Sequence, residues 1–143
     1  MFDVKKLFEE KIGKEKMQEY LMPAPSFSIM ECEIIFYDEK SASLTLKIPL
    51  LEKWMNPYKT MQGGVIMMAI DNAVGSLSML VAPKNITRNM ESKMLKPITM
   101  DVENIYIKVK LQEQKKRRLI FDVEVLDEHE VCYTTATITN WMI

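Results

Sequence analysis

Residues 63–82 are the only long apolar segment of helical length in this chain, and Pro83 closes it. Hydrophobic residues fall on nearly every side of the helix it would form, which is the pattern of a helix buried all round. Such a helix needs a wrapping. On both flanks the period of the sequence changes to two. Ala42, Leu44, Leu46 and Ile48 alternate with Ser43, Thr45 and Lys47 before it. After it, Ile105, Ile107, Val109 and Leu111 alternate with Tyr106, Lys108 and Lys110, and Leu119, Phe121, Val123 and Val125 alternate with Asp122 and Glu124. Strict alternation marks strands with one buried face.

Residues 27–37, rich in aromatic and β-branched side chains, read as a first strand that turns at Asp38-Glu39-Lys40 into a second. A loop over 49–62 carries Pro49, Asn56 and Pro57. Four further strands are expected near 86–95, 102–113, 117–127 and 130–142, and their short turns imply antiparallel pairing. At the N-terminus, segment 1-22 reads as an amphipathic helix, with Val4, Leu7, Phe8, Ile12 and Leu21 at helical spacing; Met22-Pro23-Ala24-Pro25 stops it. The order is helix, two strands, apolar helix, four strands. It predicts one α+β domain over 1-143, a six-stranded antiparallel sheet curled around a central helix at 63–82.

The chain has 143 residues, enough for one real core, and is 48% hydrophobic and 27% charged. A net charge of -1 provides no global field for nucleic acid. Cys32 and Cys132 lack the spacing of a thiolate metal knuckle, so no metal is expected, and they suggest a reducing compartment, with one bridge left open. Met1 to Tyr20 mixes Lys and Glu throughout, unlike a signal peptide. Asp71, Asn72, Gly75, Ser76 and Ser78 interrupt the apolar helix, which argues against a membrane span. A cytoplasmic protein is expected.

Gly63 and Gly64 stand at the mouth of the apolar helix. A helix start offers unpaired N–H groups and a positive dipole end, and glycine lets a ligand come close to that backbone. This suits a polarised carbonyl; a plain tight turn into the helix is the bland alternative. Asp71 lies within the most hydrophobic segment, where an unpaired carboxylate is costly to bury. It is either a structural hydrogen-bond acceptor or a base or nucleophile. Gly64, Asp71, Gly75 and Ser78 form a small or polar stripe along the helix, admitting a close neighbour.

Asn56, Gln62-Gly63-Gly64 and Asp71 resemble the signature of PaaI-like hotdog thioesterases, in which Asn, His-Gly-Gly and Asp stand at this spacing. Thr87-Arg88-Asn89-Met90-Glu91, followed by Lys96-Pro97, is similar to the next strand of that family. The resemblance spans roughly residues 40–140 and implies a hotdog fold that hydrolyses an acyl-CoA thioester, with no cofactor beyond the CoA of the substrate. It implies a carbonyl bound at the Gly64 N–H, orientation of thioester or water by Asn56 and Gln62, activation of water or direct attack by Asp71, and assistance from the Thr87 hydroxyl. Gly63 would bind substrate at the helix mouth; Met61, Met67 and Met68 are adaptable core filler or the lining of a flexible acyl pocket. Arg88 and Lys96, with Lys59 and Lys93, would be partners for the CoA phosphates. Gln62 departs from the family's histidine: its amide donates a hydrogen bond and takes up no proton.

Gly64 and Asp71 are seven residues apart, about 10 Å along a helix, too far to act on one carbonyl from the same chain. The family's solution is a homodimer that faces the helix start of one copy with the Asp of the other, with a dimer of dimers as a further arrangement. A non-catalytic acyl-CoA binder, or a hotdog hydratase or dehydratase, are the rival readings. His129, the only histidine, lies in the charged turn Asp127-Glu128-His129-Glu130 and is expected at the surface. Lys115-Lys116-Arg117-Arg118 reads as a solvated strand-edge run, or as a contact for CoA phosphates.

Overall fold

The computed structural model describes residues 3–143; Met1 and Phe2, where the expected segment 1-22 begins, lie outside the described residues. The elements are α1 (Val4–Ile12), α2 (Lys14–Glu19), α3 (Pro25–Ile29), β1 (Glu33–Asp38), β2 (Ser43–Pro49), α4 (Gly63–Val81), β3 (Asn85–Met94), β4 (Asn104–Lys115), β5 (Arg118–Leu126) and β6 (Cys132–Met142). Six strands form one antiparallel sheet in the order β1-β2-β4-β5-β6-β3. The alternation in the sequence becomes its inner face: Leu44, Leu46 and Ile48, then Ile105, Ile107 and Val109, then Leu119, Phe121, Val123 and Val125 are buried. They close on Ile66, Ala69, Ile70, Ala73, Val74 and Leu77 of α4 in one core.

Four expectations need correction. The N-terminal helix is two helices, because Gly13 adopts φ 93 between them, a left-handed conformation that ends a helix. Leu21 therefore lies past the helices and is 74% exposed, while Phe8 anchors α1 to the core. Residues 25–29, whose second half was expected to open the first strand, instead form α3: Pro25 supplies the φ of a first helical position. The Ser26 hydroxyl donates to Asn72 Oδ1 at 3.0 Å, tying this turn to the central helix.

The other two concern exposure. α4 is not buried all round. A six-stranded sheet covers one side of it, leaving Gly64 and Asp71 exposed and Met67, Met68 and Gly75 half-covered. At 19 residues, α4 does have the length and apolarity of a membrane span despite its polar interruptions; in this fold it is the core helix, about half of it buried. The run 115–118, finally, is not at a sheet edge. It forms the tip of the β4–β5 hairpin, which extends past the end of β2; β1 and β3 are the edges of the sheet.

Candidate active site

Gln62 caps α4 with extended backbone (φ -64, ψ 135), and its side chain makes no capping hydrogen bond. The Gln62 carbonyl accepts from Val65 and Ile66, both at 3.0 Å. Among the described residues, the Gly63 and Gly64 N–H groups find no acceptor. They are the orphan donors of a helix start, at its positive end. A Cβ on Gly64 would meet nothing within 4 Å, so the approach to its N–H is open.

The loop before the helix is stitched by Asn56. Its Oδ1 accepts from the N–H groups of Tyr58 (2.9 Å) and Thr60 (3.1 Å), and its Nδ2 donates to Thr60 Oγ1 (2.8 Å). Met61 N–H donates to Ile98 (2.7 Å) and Gln62 N–H to Trp54 (2.9 Å), which sets where the helix begins. In the isolated chain the Asn56 amide is thus engaged inside its own loop, with Tyr58 87% exposed at the tip.

Two turns along α4, Asp71 is exposed, not buried as its apolar neighbours suggest. The Thr87 hydroxyl donates to its Oδ1 at 2.8 Å. A register shift in β3 between Thr87 and Asn89 makes this contact possible. Thr87 sits opposite buried Asn140 of β6 and faces the helix, while the extra residue, Arg88, turns away and lies 4.5 Å from the Trp141 ring centroid. Bulges re-aim side chains in this way beside functional sites. Met94 lies near Gly63, its Cε 3.9 Å from where a Cβ would be. Helix and strand therefore run in opposite directions, Asp71 beside the start of β3 and the helix mouth beside its end.

Of the residues singled out in the sequence, the chain brings Asp71 and Thr87 together, and Gln62, Gly63 and Gly64 form one helix mouth. Met61 is buried behind that mouth, and Met67 and Met68 are half-buried on α4. Lys59, Lys93 and Lys96 are exposed cations off the Asp71–Thr87 pair, and Arg88 is on the opposite face of β3. His129 is 77% exposed in its turn, 3.3 Å from Glu128. Both cysteines are free, and burial pushes the Cys32 thiol up to about 12. No group of three or more metal-ligating side chains occurs among the described residues. Asn140, whose buried Nδ2 donates to Asn85 Oδ1 at 2.8 Å across the β3–β6 boundary, has no sequence signal beyond an amide in an alternating strand. A concavity of about 1230 Å³ on the outer face of the sheet, between Lys108, Lys110, Asp122 and Glu124, is lined by Lys93 but by none of the other candidate residues. Gly64, Asp71 and Thr87 lie instead along the less covered side of α4.

No family model matches the chain, and no curated protein resembles it significantly in sequence. Solved structures do resemble it in architecture. The Escherichia coli PaaI protein from the phenylacetic acid degradation operon superposes with TM-score 0.79 at 12% identity, covering 99% of this chain and 96% of its own. A hypothetical thioesterase of Streptococcus pneumoniae TIGR4, solved with coenzyme A, gives 0.75 at 18% identity over 82% of this chain and 90% of its own. A Streptococcus mutans protein bound to acetyl CoA gives 0.72 at 17% identity, with 78% and 88% covered. What is shared at these identities is the architecture: the chain is a hotdog-fold protein whose structural neighbours are PaaI and hypothetical thioesterases.

Proposed function

We propose that the protein hydrolyses acyl-CoA thioesters at a site shared between two copies of the chain. The observation that carries this reading is the Thr87–Asp71 hydrogen bond, an exposed carboxylate oriented by a hydroxyl. Sixteen residues separate the two. The S. pneumoniae neighbour has been crystallised as two alanine variants, of an aspartate and of a threonine, sixteen positions apart in its own chain. Coenzyme A or acetyl CoA in two neighbours supports the substrate class.

Asp71 and the Gly64 N–H lie about 10 Å apart on one helix, so they meet a single carbonyl only across a subunit boundary. The edge strand β3 offers that boundary. One of its edges is unpaired, and Ile86 (55%), Met94 (45%) and Leu95 (55%) are exposed along it and just beyond. An open, apolar edge is a template for strand pairing. Antiparallel pairing about a two-fold between Met90 and Glu91 sets Thr87 opposite the second copy's Met94, the residue beside Gly63. The helix mouth of one copy then approaches Asp71 of the other, twice per dimer.

At such a site the thioester oxygen accepts from the Gly64 N–H, where the helix dipole favours developing negative charge. Asp71 takes a proton from water as the water oxygen bonds to the carbonyl carbon, or attacks that carbon itself; both suit a carboxylate. The C–S bond then breaks, and the thiolate leaves as CoA and gains a proton; after direct attack, water hydrolyses the acyl–Asp71 anhydride, releasing the acid and restoring the carboxylate. Thr87 keeps Asp71 aimed, Asn56 holds the loop that sets the helix mouth, and Gln62 contributes an amide donor. The half-buried Met67 and Met68 offer an adaptable wall to the acyl chain. The reaction draws on no metal or further cofactor, and an acyl-CoA substrate fits a cytoplasmic location.

The test is a panel of aryl, short and medium acyl-CoA esters assayed for release of free thiol. Turnover of at least one class at kcat/KM near 10⁴ M⁻¹s⁻¹ or more is the expected result. Binding without turnover across the panel would make the protein an acyl-CoA binder. The pH dependence provides a second measurement. Gln62 does not titrate and His129 is an exposed residue of the β5–β6 turn, so the rate profile should lack an inflection at about pH 6.5. Gln62→His should introduce one. A wild-type inflection there that disappears in His129→Gln would contradict the assignment of that histidine to the surface.

A further inference from the structure

The turn between β4 and β5 is made of Lys116 and Arg117, flanked by the register pair Lys115 and Arg118. Lys116 has φ 57, in the left-handed region where tight hairpin turns ordinarily place Asn or Gly. Four consecutive cations thus occupy a turn whose conformation favours other residues. Protection of a sheet edge accounts for Lys115 at most: β4 is unpaired on its β2 side past Leu111, whereas Lys116 and Arg117 form the turn and Arg118 pairs with Trp141. Pairing accounts for little of the charge. Arg118 contacts Glu113 at 3.5 Å, both side chains being nearly half exposed, and Arg117 Nε donates to the Met142 carbonyl at 3.1 Å.

Trp141 of β6 lies opposite Arg118 of β5 and Ile86 of β3. Arg88 stacks 4.5 Å from the centroid of its ring, adding a fifth cation. Between the turn and the indole is a shallow cleft of about 360 Å³, lined by Lys115, Lys116, Arg117, Arg118 and Trp141. It combines phosphate-binding cations with one flat aromatic surface. In a chain of net charge -1, this is local segregation, not general basicity.

We propose that this cleft docks the nucleotide end of coenzyme A, with its phosphates on the Lys115–Arg118 turn and its adenine against Trp141. The assignment presupposes the acyl-CoA reading above and gives it a nucleotide subsite. The location fits. Arg88 directly follows Thr87 on the other face of β3, so the cleft lies on the outer face at the end of the sheet that holds the Asp71–Thr87 pair, and the arm would reach that pair around the strand ends. The turn is two strands from β3, about 10 Å across the sheet, a span that the pantetheine arm can cover. A single indole beside one compact cluster suits one base and its phosphates; a nucleic-acid strand would need an extended basic track.

The probe is adenosine 3′,5′-bisphosphate, titrated by calorimetry into the full-length protein at low salt. Wild type should bind it, more weakly as salt rises. The triple variant Lys116→Asn, Arg117→Gly, Arg118→Gln preserves the hairpin, since Asn-Gly is a favoured turn, and should bind at least about tenfold more weakly. Trp141→Leu should also weaken binding. In kinetics, the ratio of kcat/KM for acyl-CoA to that for the matching acyl-pantetheine should fall about tenfold or more in the triple variant. Absence of bisphosphate binding by wild type overturns the assignment, as does an unchanged ratio. If wild type binds the bisphosphate through this turn yet hydrolyses no thioester, the subsite stands and the hydrolytic reading fails.

Discussion

Replacing Asp71 with asparagine should lower kcat/KM for the best acyl-CoA by roughly 10³-fold while leaving the fold and its thermal midpoint nearly unchanged. The rate loss follows from the role: a base removed costs about 10²–10⁴-fold, and an amide neither accepts the proton nor attacks the carbonyl. The small effect on stability follows from the surroundings. A carboxylate in the middle of an apolar helix reads as a buried charge, whose removal would relieve desolvation. The structure exposes it, with the Thr87 hydroxyl on its Oδ1, so little desolvation is there to relieve. Asparagine keeps an Oδ1 that can accept from Thr87, so weakening that hydrogen bond costs about 1 kcal/mol at most. Thr87→Val should be intermediate in rate, about tenfold down, because it disorients Asp71 without removing it. Steady-state kinetics and thermal melts on the same samples decide. Wild-type turnover by Asp71→Asn would make the carboxylate structural, and a collapsed melting transition would make it part of the core.

Two inactive variants should restore activity when they share a dimer. Gly64→Val places a branched side chain over the helix-mouth N–H at a position where the protomer has open space, so the chain should still fold. Asp71→Asn removes the carboxylate. Each should be inactive alone. Unfolded and refolded together, half of the dimers are hybrids, each with one doubly altered site and one intact site. About a quarter of wild-type activity should return. If helix mouth and carboxylate serve one carbonyl within one chain, every site keeps a lesion and mixing restores nothing. The choice of Gly64 over Asn56 reflects the structure: Asn56 is bonded to Tyr58 and Thr60 of its own loop, so its loss would act through that loop.

Much of the architecture was legible because burial imposes a period. Once one face of a strand meets a core, apolar residues recur at every second position, as they do from Leu44 to Ile48, from Ile105 to Val109 and from Leu119 to Val125. A helix enclosed by such a sheet stands out as the only apolar run of its length. The elements least well read were those governed by a single backbone choice. Gly13 divides the N-terminal helix, and Pro25 begins a helical turn where aromatic residues suggest a strand.

The candidate site divides along the same line. That Gly63-Gly64 opens a helix and that Asp71 is an unusual residue within it are local facts, present in the order of residues. Which of them meet is not local. Thr87 reaches Asp71 only because α4 and β3 run in opposite directions and a bulge turns Thr87 inward and Arg88 outward. The exposure of Asp71 depends on how far a six-stranded sheet wraps around a helix, and the meaning of Lys115–Arg118 on strand order, which places β4 and β5 in the interior and β3 at the edge. The sequence by itself determined which residues are capable of the chemistry and the period that folds them. Only the tertiary structure decided which become neighbours, because contacts between residues distant in the chain follow from strand order, register and direction, and no local propensity encodes those.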